Sequence, residues 1–349
     1  MKKFIIFIFL LFSYQQSRSQ ELETIILAAD DASLLAENYL NPAMLGLMYS
    51  MNGGWFTTAK THKKFGFDIT INANASFVPE KDQMFAFIPS DYAFLALPNG
   101  ENSLPTVMSE DDTETTVDIR IPIPNSNGSF KVASFDMPGG ITDDLPINAV
   151  PTPMVQAGLG LPFNTDIKLR FVPTLSFDDD VKANLIGFGL QHDVMQYFGP
   201  LDKLPLNVSV LAAFTNMKVT YDIDGENVDE VTVNNGEAEF KMNTWTLQAI
   251  ASLDFKIVTF YGSLGYNRGK TTAKMKGDYI LTYDVENSNG DVVGSVSETV
   301  SDPINLDFEA DGMRATIGSR LNIGFFKIFA DYTFQEYNTA SAGIAFSFR

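Results

Sequence analysis

The chain has 349 residues, of which 45% are hydrophobic and 19% are charged; it has no cysteine and a formal net charge of −19. Such an acidic balance repels nucleic acid, and without cysteine neither disulfides nor His/Cys metal clusters can form. Beyond residue 19 no run of about 18 apolar residues occurs, so the sequence offers no candidate transmembrane helix there.

The first 19 residues have the organisation of a secretory signal peptide. Two lysines precede an apolar run from Phe4 to Phe12, and a small-x-small cleavage site follows at Ser17-Arg18-Ser19. The apolar run is shorter than the roughly 20 residues that a membrane-spanning helix needs. We therefore expect an exported protein whose mature chain begins at Gln20.

Residues 20–48 are predicted to form a short N-terminal helical plug, or hatch. Ile25, Leu34, Leu35 and Tyr39 fall at broadly helical spacing with acidic residues between them, and Pro42 is expected to end the helix. We expect this segment to pack at one mouth of a barrel. A solvent-exposed linker is the alternative.

From residue 49 to residue 349 the apolar period changes from helical spacing to two. In the run from Asn243 to Phe255, Trp245, Leu247 and Leu253 alternate with polar residues, and the run from Met313 to Phe325 repeats this pattern. Runs of about ten residues suit a tilted membrane-crossing strand and exceed the usual 5 to 6 residues of soluble sheets, such as a β-sandwich. The sequence predicts an all-β fold, a transmembrane antiparallel β-barrel of about 14 strands, with a range of roughly 12 to 16.

We expect the apolar face of each strand to meet lipid, because a charged side chain at the bilayer midplane costs about 2 to 4 kcal/mol. Arg314 and Arg320 alternate with the apolar residues of their strand and should therefore point into the lumen. Together with Asn41, Pro42 and Trp55, they are the predicted hatch and lumen residues.

The last strand carries a pattern with a specific meaning. Ile344, Phe346 and Phe348 alternate with small or polar residues up to the chain end. This pattern resembles the C-terminal β-signal of outer-membrane barrels, although the final residue is Arg349 rather than an aromatic one. The resemblance implies recognition of this strand by the barrel-assembly machinery.

The sequence offers little material for catalysis or metal binding. His62 and His192 are the only histidines. We expect His192 to be structural and His62 to lie in a basic turn between two strands, although an outer-membrane hydrolase would have to use one of them as its base. The acidic stretch from Asp222 to Glu226 lacks the distal glutamate of a calcium-binding loop. We predict no catalytic residue, no metal site and no cofactor, and we do not expect an enzyme.

Two resemblances to known families support a barrel with a plug. The stretch Asn41-Pro42-Ala43-Met44-Leu45 resembles the Asn-Pro-Ala segment in the N-terminal hatch of long-chain fatty-acid transporters (FadL-like barrels). The stretches 52–55 and 58–68 resemble an uncharacterised Bacteroidota family of exported outer-membrane barrels. The first resemblance implies that the N-terminal region fills the lumen and that Asn41 and Pro42 shape its bend.

These observations lead to two hypotheses for a protein expected in the cell outer membrane. The first is passive transport of a small hydrophobic solute through the barrel, with outer-membrane lipid and that solute as partners. The alternative is a structural or partner-binding barrel without transport activity, using its long loops at 97–121 and 222–239. No nucleic-acid partner is expected.

Overall fold

The computed structural model describes most of the chain, namely residues 29–110, 115–122, 129–145, 147–177, 181–199, 205–223, 227–228, 231–286 and 292–348. The predicted signal peptide and residues 20–28 of the predicted plug lie outside the described residues. So do residues 111–114 of the predicted long loop at 97–121 and residues 224–226 and 229–230 of the predicted long loop at 222–239.

The described residues form one long helix and 17 strands. Helix α1 spans Ala29–Met51. The strands in chain order are β1 Phe67–Phe77, β2 Met84–Ala86, β3 Leu95–Ala96, β4 Ser103–Pro105, β5 Thr115–Pro122, β6 Ser129–Met137, β7 Ala149–Leu161, β8 Thr165–Phe177, β9 Val181–Asp193, β10 Leu206–Asp222, β11 Asn227–Val228, β12 Val231–Asp254, β13 Val258–Glu286, β14 Val292–Ser301, β15 Ile304–Ile323, β16 Phe326–Phe334 and β17 Thr339–Phe348.

Ten of these strands close into an antiparallel barrel. Their order around the ring is β1, β7, β8, β9, β10, β12, β13, β15, β16 and β17, and β17 pairs again with β1. Strands β11 and β14 extend hairpins outside the ring, and the insertion between β1 and β7, residues 78–148, forms two small sheets, β2–β4 and β3–β5–β6. The closed antiparallel barrel confirms the predicted all-β class.

The ring has fewer strands than the predicted number of about 14. One reason is that the insertion adds no strand to the ring. The other is that β12, β13 and β15 have 24, 29 and 20 residues, about twice the length of one membrane crossing. The first ring strand also begins at Phe67 rather than at residue 49, because residues 49–66 continue the segment that fills the lumen.

The two ends of the barrel differ in their connections. At one end, turns of two or three residues join β7 to β8, β12 to β13 and β15 to β16. Phe67 of the first strand pairs with Phe348 of the last strand at this same end. The insertion 78–148 lies at the opposite end. We call these the short-turn end and the long-loop end.

The polarity of the two strand faces inverts part-way along β12. Near the short-turn end, Trp245 and Leu247 are exposed on the outer face while Gln248 is buried on the inner face. Nearer the long-loop end, Lys241 is exposed outside and Met242 is buried inside. The inversion occurs within a continuous strand, so the outer face of β12 is apolar near the short-turn end and polar nearer the long-loop end.

Strands β13 and β15 invert at the same height. Tyr266 pairs with Leu247 of β12 and with Met313 of β15, and all three lie on the outer face. Further toward the long-loop end, outward positions carry Lys270 and Glu309. We call the outward apolar surface from Trp245 of β12 and Tyr266 of β13 to the short-turn end the apolar belt. The strand halves on its long-loop side, together with the insertion 78–148, are the outer tier, and 'above' means toward the long-loop end.

The outer tier encloses a hydrophobic core between the upper strands, α1 and the insertion. Burial of apolar side chains on both sides of α1 stabilises this part of the molecule. Methionine is unusually frequent in this core, and its flexible thioether side chain fills irregular space. The buried methionines of the core are Met44, Met48, Met51, Met108, Met137, Met154, Met242 and Met275.

Helix α1 continues through Pro42, so the expectation that this proline ends the helix is wrong. A proline inside a helix removes one hydrogen bond and typically costs about 3 kcal/mol. Burial of Leu35, Tyr39, Met44 and Met48 on both sides of Pro42 offsets this cost. In the described part of the chain, no helix combines the length and apolar character needed to span a membrane.

Candidate functional site: the plug and its arginine clamp

Residues 29–66 pass through the lumen from the long-loop end to the short-turn end. At the start of this segment, the Asp31 carboxylate accepts hydrogen bonds from the backbone N–H groups of residues 93–95 in the insertion. At its end, the backbone N–H of Phe65 donates to the Gly160 carbonyl near the β7–β8 turn. We call residues 29–66 the plug, and residues 52–62, which follow α1, the strap.

Arg170 of β8 holds the junction between α1 and the strap. Its Nη1 donates to the Met51 carbonyl at 2.8 Å, and its Nη2 donates to the Gly53 carbonyl at 2.6 Å. Its Nε donates to Gln156 at 3.1 Å, and its guanidinium lies 3.7 Å from the ring centroid of Trp55. The side chain is fully buried, so every polar contact that it makes replaces water.

Arg314 of β15 reaches the same junction from the other side. Its Nη1 donates to the Asn52 carbonyl at 2.8 Å, and its Nη2 donates to Thr333 at 3.3 Å. In the ten-strand ring, β8 and β15 are five positions apart and therefore lie opposite each other. Two cations from opposing walls thus hold three consecutive carbonyls, and we call Arg170 and Arg314 the arginine clamp.

The clamp supplies what the C-terminus of α1 lacks. The last carbonyls of a helix have no partner within the helix and carry the negative end of its dipole, which cations stabilise. The last turn of α1 contains no basic residue of its own. The barrel wall therefore provides the cations, through Arg170 and Arg314.

Polar side chains from the wall hold the strap below the clamp. Arg320 donates from Nη1 to Thr57 Oγ1 at 3.0 Å, and Thr58 Oγ1 donates to the Asp254 carboxylate at 3.0 Å. Gln191 donates from Nε2 to the carbonyls of Thr58 and Ala59 at 3.0 and 3.2 Å. The strap is therefore fixed at both its backbone and its side chains.

The strap approaches the wall so closely that one position requires glycine. Gly54 has φ of +67°, a conformation that L side chains rarely adopt. A Cβ at this residue would also lie 2.1 Å from Nδ2 of Asn72 on β1. Backbone conformation and wall contact therefore both select glycine here.

Both histidines lie toward the short-turn end. His62 Nδ1 is 2.9 Å from Asp166 Oδ2, and the His62 backbone N–H donates to the same carboxylate at 2.9 Å. His192 Nδ1 is 2.8 Å from Thr165 Oγ1, and its Nε2 is 3.0 Å from the Tyr197 hydroxyl. His62 thus anchors the end of the strap, and His192 joins the surroundings of a turn.

The structure separates the predicted site residues into two groups. Trp55 is a buried residue of the strap itself, and Arg314 and Arg320 reach the strap from the wall of the lumen. Asn41 and Pro42 lie about two and a half to three turns before the C-terminal end of α1, near the outer tier, where Asn41 is exposed and Pro42 is buried. They do not meet the other three residues.

Arg170, which makes the most contacts with the junction, is not among the residues predicted from the sequence. The signal was present, because Asp166, Lys168 and Arg170 alternate with Ile167 and Leu169 in β8, just as the arginines of β15 alternate with apolar residues. What could not be seen was that β8 and β15 face each other. Within the described ranges, no group of three or more His, Asp or Glu side chains is arranged to hold a metal ion.

A comparison with solved structures finds several matches at low identity and low TM-score. Ail, the attachment invasion locus protein of Yersinia pestis, is 12% identical over 82% of this chain and all of its own, with a TM-score of 0.25. The translocator domain of the autotransporter NalP from Neisseria meningitidis is 11% identical over 92% of this chain and 99% of its own, with a TM-score of 0.28. A mutant of the TodX monoaromatic hydrocarbon channel is 6% identical over 88% and 93%, with a TM-score of 0.23.

At these identities and TM-scores the likenesses carry no argument about ligand, partner or activity. No curated protein matches the chain in sequence. One family profile matches nearly the whole chain, from residue 1 to residue 348. The chain therefore belongs to the family of unknown function DUF6588.

Proposed function

We propose that the protein resides in the outer membrane, with the apolar belt in contact with lipid. Outward positions from Trp245 to Phe255 are ten steps apart along the chain, or about 33 Å at ~3.3 Å per residue. A strand tilt of about 40° reduces this length to a height of about 25 Å, which matches the apolar band of outer-membrane barrels. Aromatic residues border the belt: the rings of Trp245 and Tyr266 are 5.7 Å apart at its upper edge.

The seam between the first and last strands supports assembly in that membrane. The outer face of β17 carries Ile344, Phe346 and Phe348, and the rings of Phe348 and Phe67 stack at 5.0 Å. Phe325 of the adjacent turn lies 5.9 Å from the Phe348 ring. We propose that the assembly machinery recognises these three residues of β17 before they close the seam.

Within this setting, the function that we propose is passive, non-enzymatic transport of a small hydrophobic solute. The observation that carries it is the methionine-rich core of the outer tier, which lies against α1 directly above the arginine clamp. Flexible methionine side chains can repack around an apolar guest. A solute would enter this core from the outside and pass along α1.

The strap is the gate of this route. Three carbonyl groups, at residues 51–53, are held by two side chains, so a small displacement of the strap breaks the whole clamp. The polar wall behind the strap would then line the lower lumen. No chemical step is needed, because non-covalent contacts hold the gate closed: hydrogen bonds, the Arg170–Trp55 contact and apolar packing of the strap.

Uptake of a hydrophobic fluorescent probe into proteoliposomes tests the proposal. We expect Arg170→Gln/Arg314→Gln to raise uptake several-fold, because it removes the positive charge that holds the end of α1. The matched control is Arg268→Gln/Lys270→Gln, which removes two exposed charges outside the lumen. Equal uptake by the clamp variant, the control and empty liposomes would exclude transport.

The alternative function is a structural or partner-binding barrel that acts through the insertion 78–148. Its supporting observation is that Ile88 and Ile147, at either end of the insertion, are about half exposed. We expect Ile88→Asp/Ile147→Asp to abolish crosslinking to such a partner while leaving probe uptake unchanged. If the Ile88→Asp/Ile147→Asp variant instead lost probe uptake and kept its crosslinks to the partner, the result would favour transport over partner binding.

A further inference from the structure

Basic side chains gather on one outward surface just above the apolar belt. The chain has 24 Lys and Arg residues and a net charge of −19, so cations are scarce. Three adjacent strands nevertheless carry six of them on the outer face of the outer tier. They are Lys218 of β10, Lys241 of β12, and Arg268, Lys270, Lys274 and Lys276 of β13.

Two of these six cations are balanced by the neighbouring strand. Arg268 lies 3.0 Å from Glu309 of β15, and Lys270 lies 3.4 Å from Glu309 and 3.6 Å from Asp307. This part of the surface is therefore close to neutral. It does not contribute an excess of positive charge.

The remaining four lysines outnumber their carboxylates. Glu239 accepts from Lys218 and Lys241 at 2.9 Å each and from Lys276 at 2.8 Å, and Glu237 lies 3.2 Å from Lys276. With Lys274, four ammonium groups face two carboxylates. Asp222 of β10, which pairs with Glu237, is a third outward carboxylate farther from the belt, so these four lysines leave an excess of about one positive charge.

These charges are ordered by height above the belt. At the edge of the belt, Phe214 pairs with Trp245. The next row toward the long-loop end is the pair Asn216–Asn243, and the row after that is the pair Lys218–Lys241. Glu239 belongs to the row beyond the lysines. The ammonium groups thus lie between the membrane surface and the carboxylate that binds them.

Lys218 and Lys241 face each other across two strands, an arrangement that repels unless an anion lies between the two. Glu239 approaches the two ammonium groups only from the side of the long-loop end, away from the belt. Their side chains remain 37% and 45% exposed, so a second anion can approach from the belt side. In the row nearer the belt, Asn216 Nδ2 donates to Asn243 Oδ1 at 2.8 Å, and the remaining N–H groups of the two amides are further hydrogen-bond donors.

We propose that Lys218, Lys241 and the two asparagines bind the phosphate of an outer-leaflet lipid headgroup. The site rests on the membrane placement proposed above but not on transport. A lipid suits it because the patch is continuous with the belt, so acyl chains can lie on Phe214 and Trp245 while the phosphate meets the lysines. Basic residues next to a membrane surface bind anionic lipids in this way.

Binding of fluorescent lipid A, which carries two phosphates, to the full-length protein in detergent tests the site. We expect Lys218→Gln/Lys241→Gln to weaken lipid A binding roughly tenfold, with dephosphorylated lipid A bound weakly by both proteins. The control Lys63→Gln/Lys64→Gln makes the same charge change in exposed residues near the short-turn end and should bind like the wild type. The charge-conserving variant Lys218→Arg/Lys241→Arg should retain binding.

Three outcomes would overturn this lipid site. Unchanged lipid A affinity in the Gln variant excludes a role for the lysines. Equal binding of dephosphorylated lipid A excludes the phosphate, and full displacement by millimolar inorganic phosphate identifies a free-phosphate site instead. Heat-shifted gel migration checks folding of each variant, and unchanged probe uptake by the Gln variant separates this result from the transport experiment.

Discussion

Arg170 and Arg314 come from opposite strands of a ten-strand ring and donate hydrogen bonds to neighbouring carbonyls at the C-terminus of α1. Neither guanidinium is held chiefly by a carboxylate; backbone carbonyls, an amide, a hydroxyl and an indole ring surround the two groups. The two buried guanidinium groups therefore need the plug carbonyls as hydrogen-bond acceptors, and the plug needs the two guanidinium groups to hold the end of α1.

The first prediction concerns access to the plug. Because the chain has no cysteine, a single Ser50→Cys substitution places one thiol in the buried plug. We expect Arg170→Gln to raise its rate of reaction with a water-soluble thiol reagent about tenfold, since hydrogen bonds to a charged group contribute roughly 1.5 to 3 kcal/mol. Arg268→Gln is the control, and the same rate in all three backgrounds would mean that the clamp does not hold the plug.

The second prediction separates wall contact from backbone strain in the strap. Gly54 and Gly100 both have positive φ, at +67° and +74°, but only Gly54 has a neighbour within 4 Å of its ideal Cβ position. Gly54→Ala should therefore destabilise the protein by at least about 1 kcal/mol more than Gly100→Ala, because a buried clash adds to the strain. Equal shifts of the urea midpoint for the two variants would contradict the close approach to Asn72.

The third prediction tests the edge of the belt. Ala249 and Asn243 lie on the same outer face of β12, one near the middle of the belt and the other just above Trp245. Ala249→Arg should cost about 2 to 4 kcal/mol and reduce insertion into membranes, whereas Asn243→Arg should assemble normally. Comparable assembly yields for the two variants would mean that the belt does not lie in lipid.

Alternation in the sequence predicted which strand face is exposed, and this part of the fold is confirmed for Trp245, Leu247 and Leu253. The number of strands could not be predicted, because β12 and β13 continue past the belt with reversed polarity. An apolar residue such as Met242 then points inward where Leu247 points outward. An estimate that divides the chain into segments of the length of one membrane crossing therefore counts such a strand twice.

The fourth prediction is a pH dependence at Glu239, which lies above the belt. Burial raises the pKa of Glu239, but hydrogen bonds from Lys276, Lys218 and Lys241 outweigh this and lower the pKa from 4.5 to about 2. A lowered pKa means that the folded state favours the carboxylate, so its stabilisation is present above pH 4.5 and is lost as the pH falls toward 2.

Glu239→Gln should therefore lower the free energy of unfolding by about 1 kcal/mol at pH 7, allowing for the partial exposure of the lysines. The difference from the wild type should shrink as the pH falls from about 5 to about 2. Urea unfolding across this range, in the same detergent, measures it. A constant difference at all pH values would show that the ion pairs are not its source.

The plug could be predicted only in part. The helical spacing of Leu35 and Tyr39 indicated a helix, but Pro42 suggested an end that packing in the outer tier overrides. Prediction of the clamp would have required knowing which strands lie opposite each other. The spacing of Arg170 and Arg314 in the chain contains no such information. Long-range closure of the ring creates this site.

The most direct test of an outer-membrane barrel closed by a plug is fractionation of cells that produce the full chain, followed by gel electrophoresis with and without heating. We expect the protein in the outer-membrane fraction, with faster migration when unheated, because a closed barrel resists detergent. Recovery in the soluble periplasmic fraction, with the same migration before and after heating, would contradict the account.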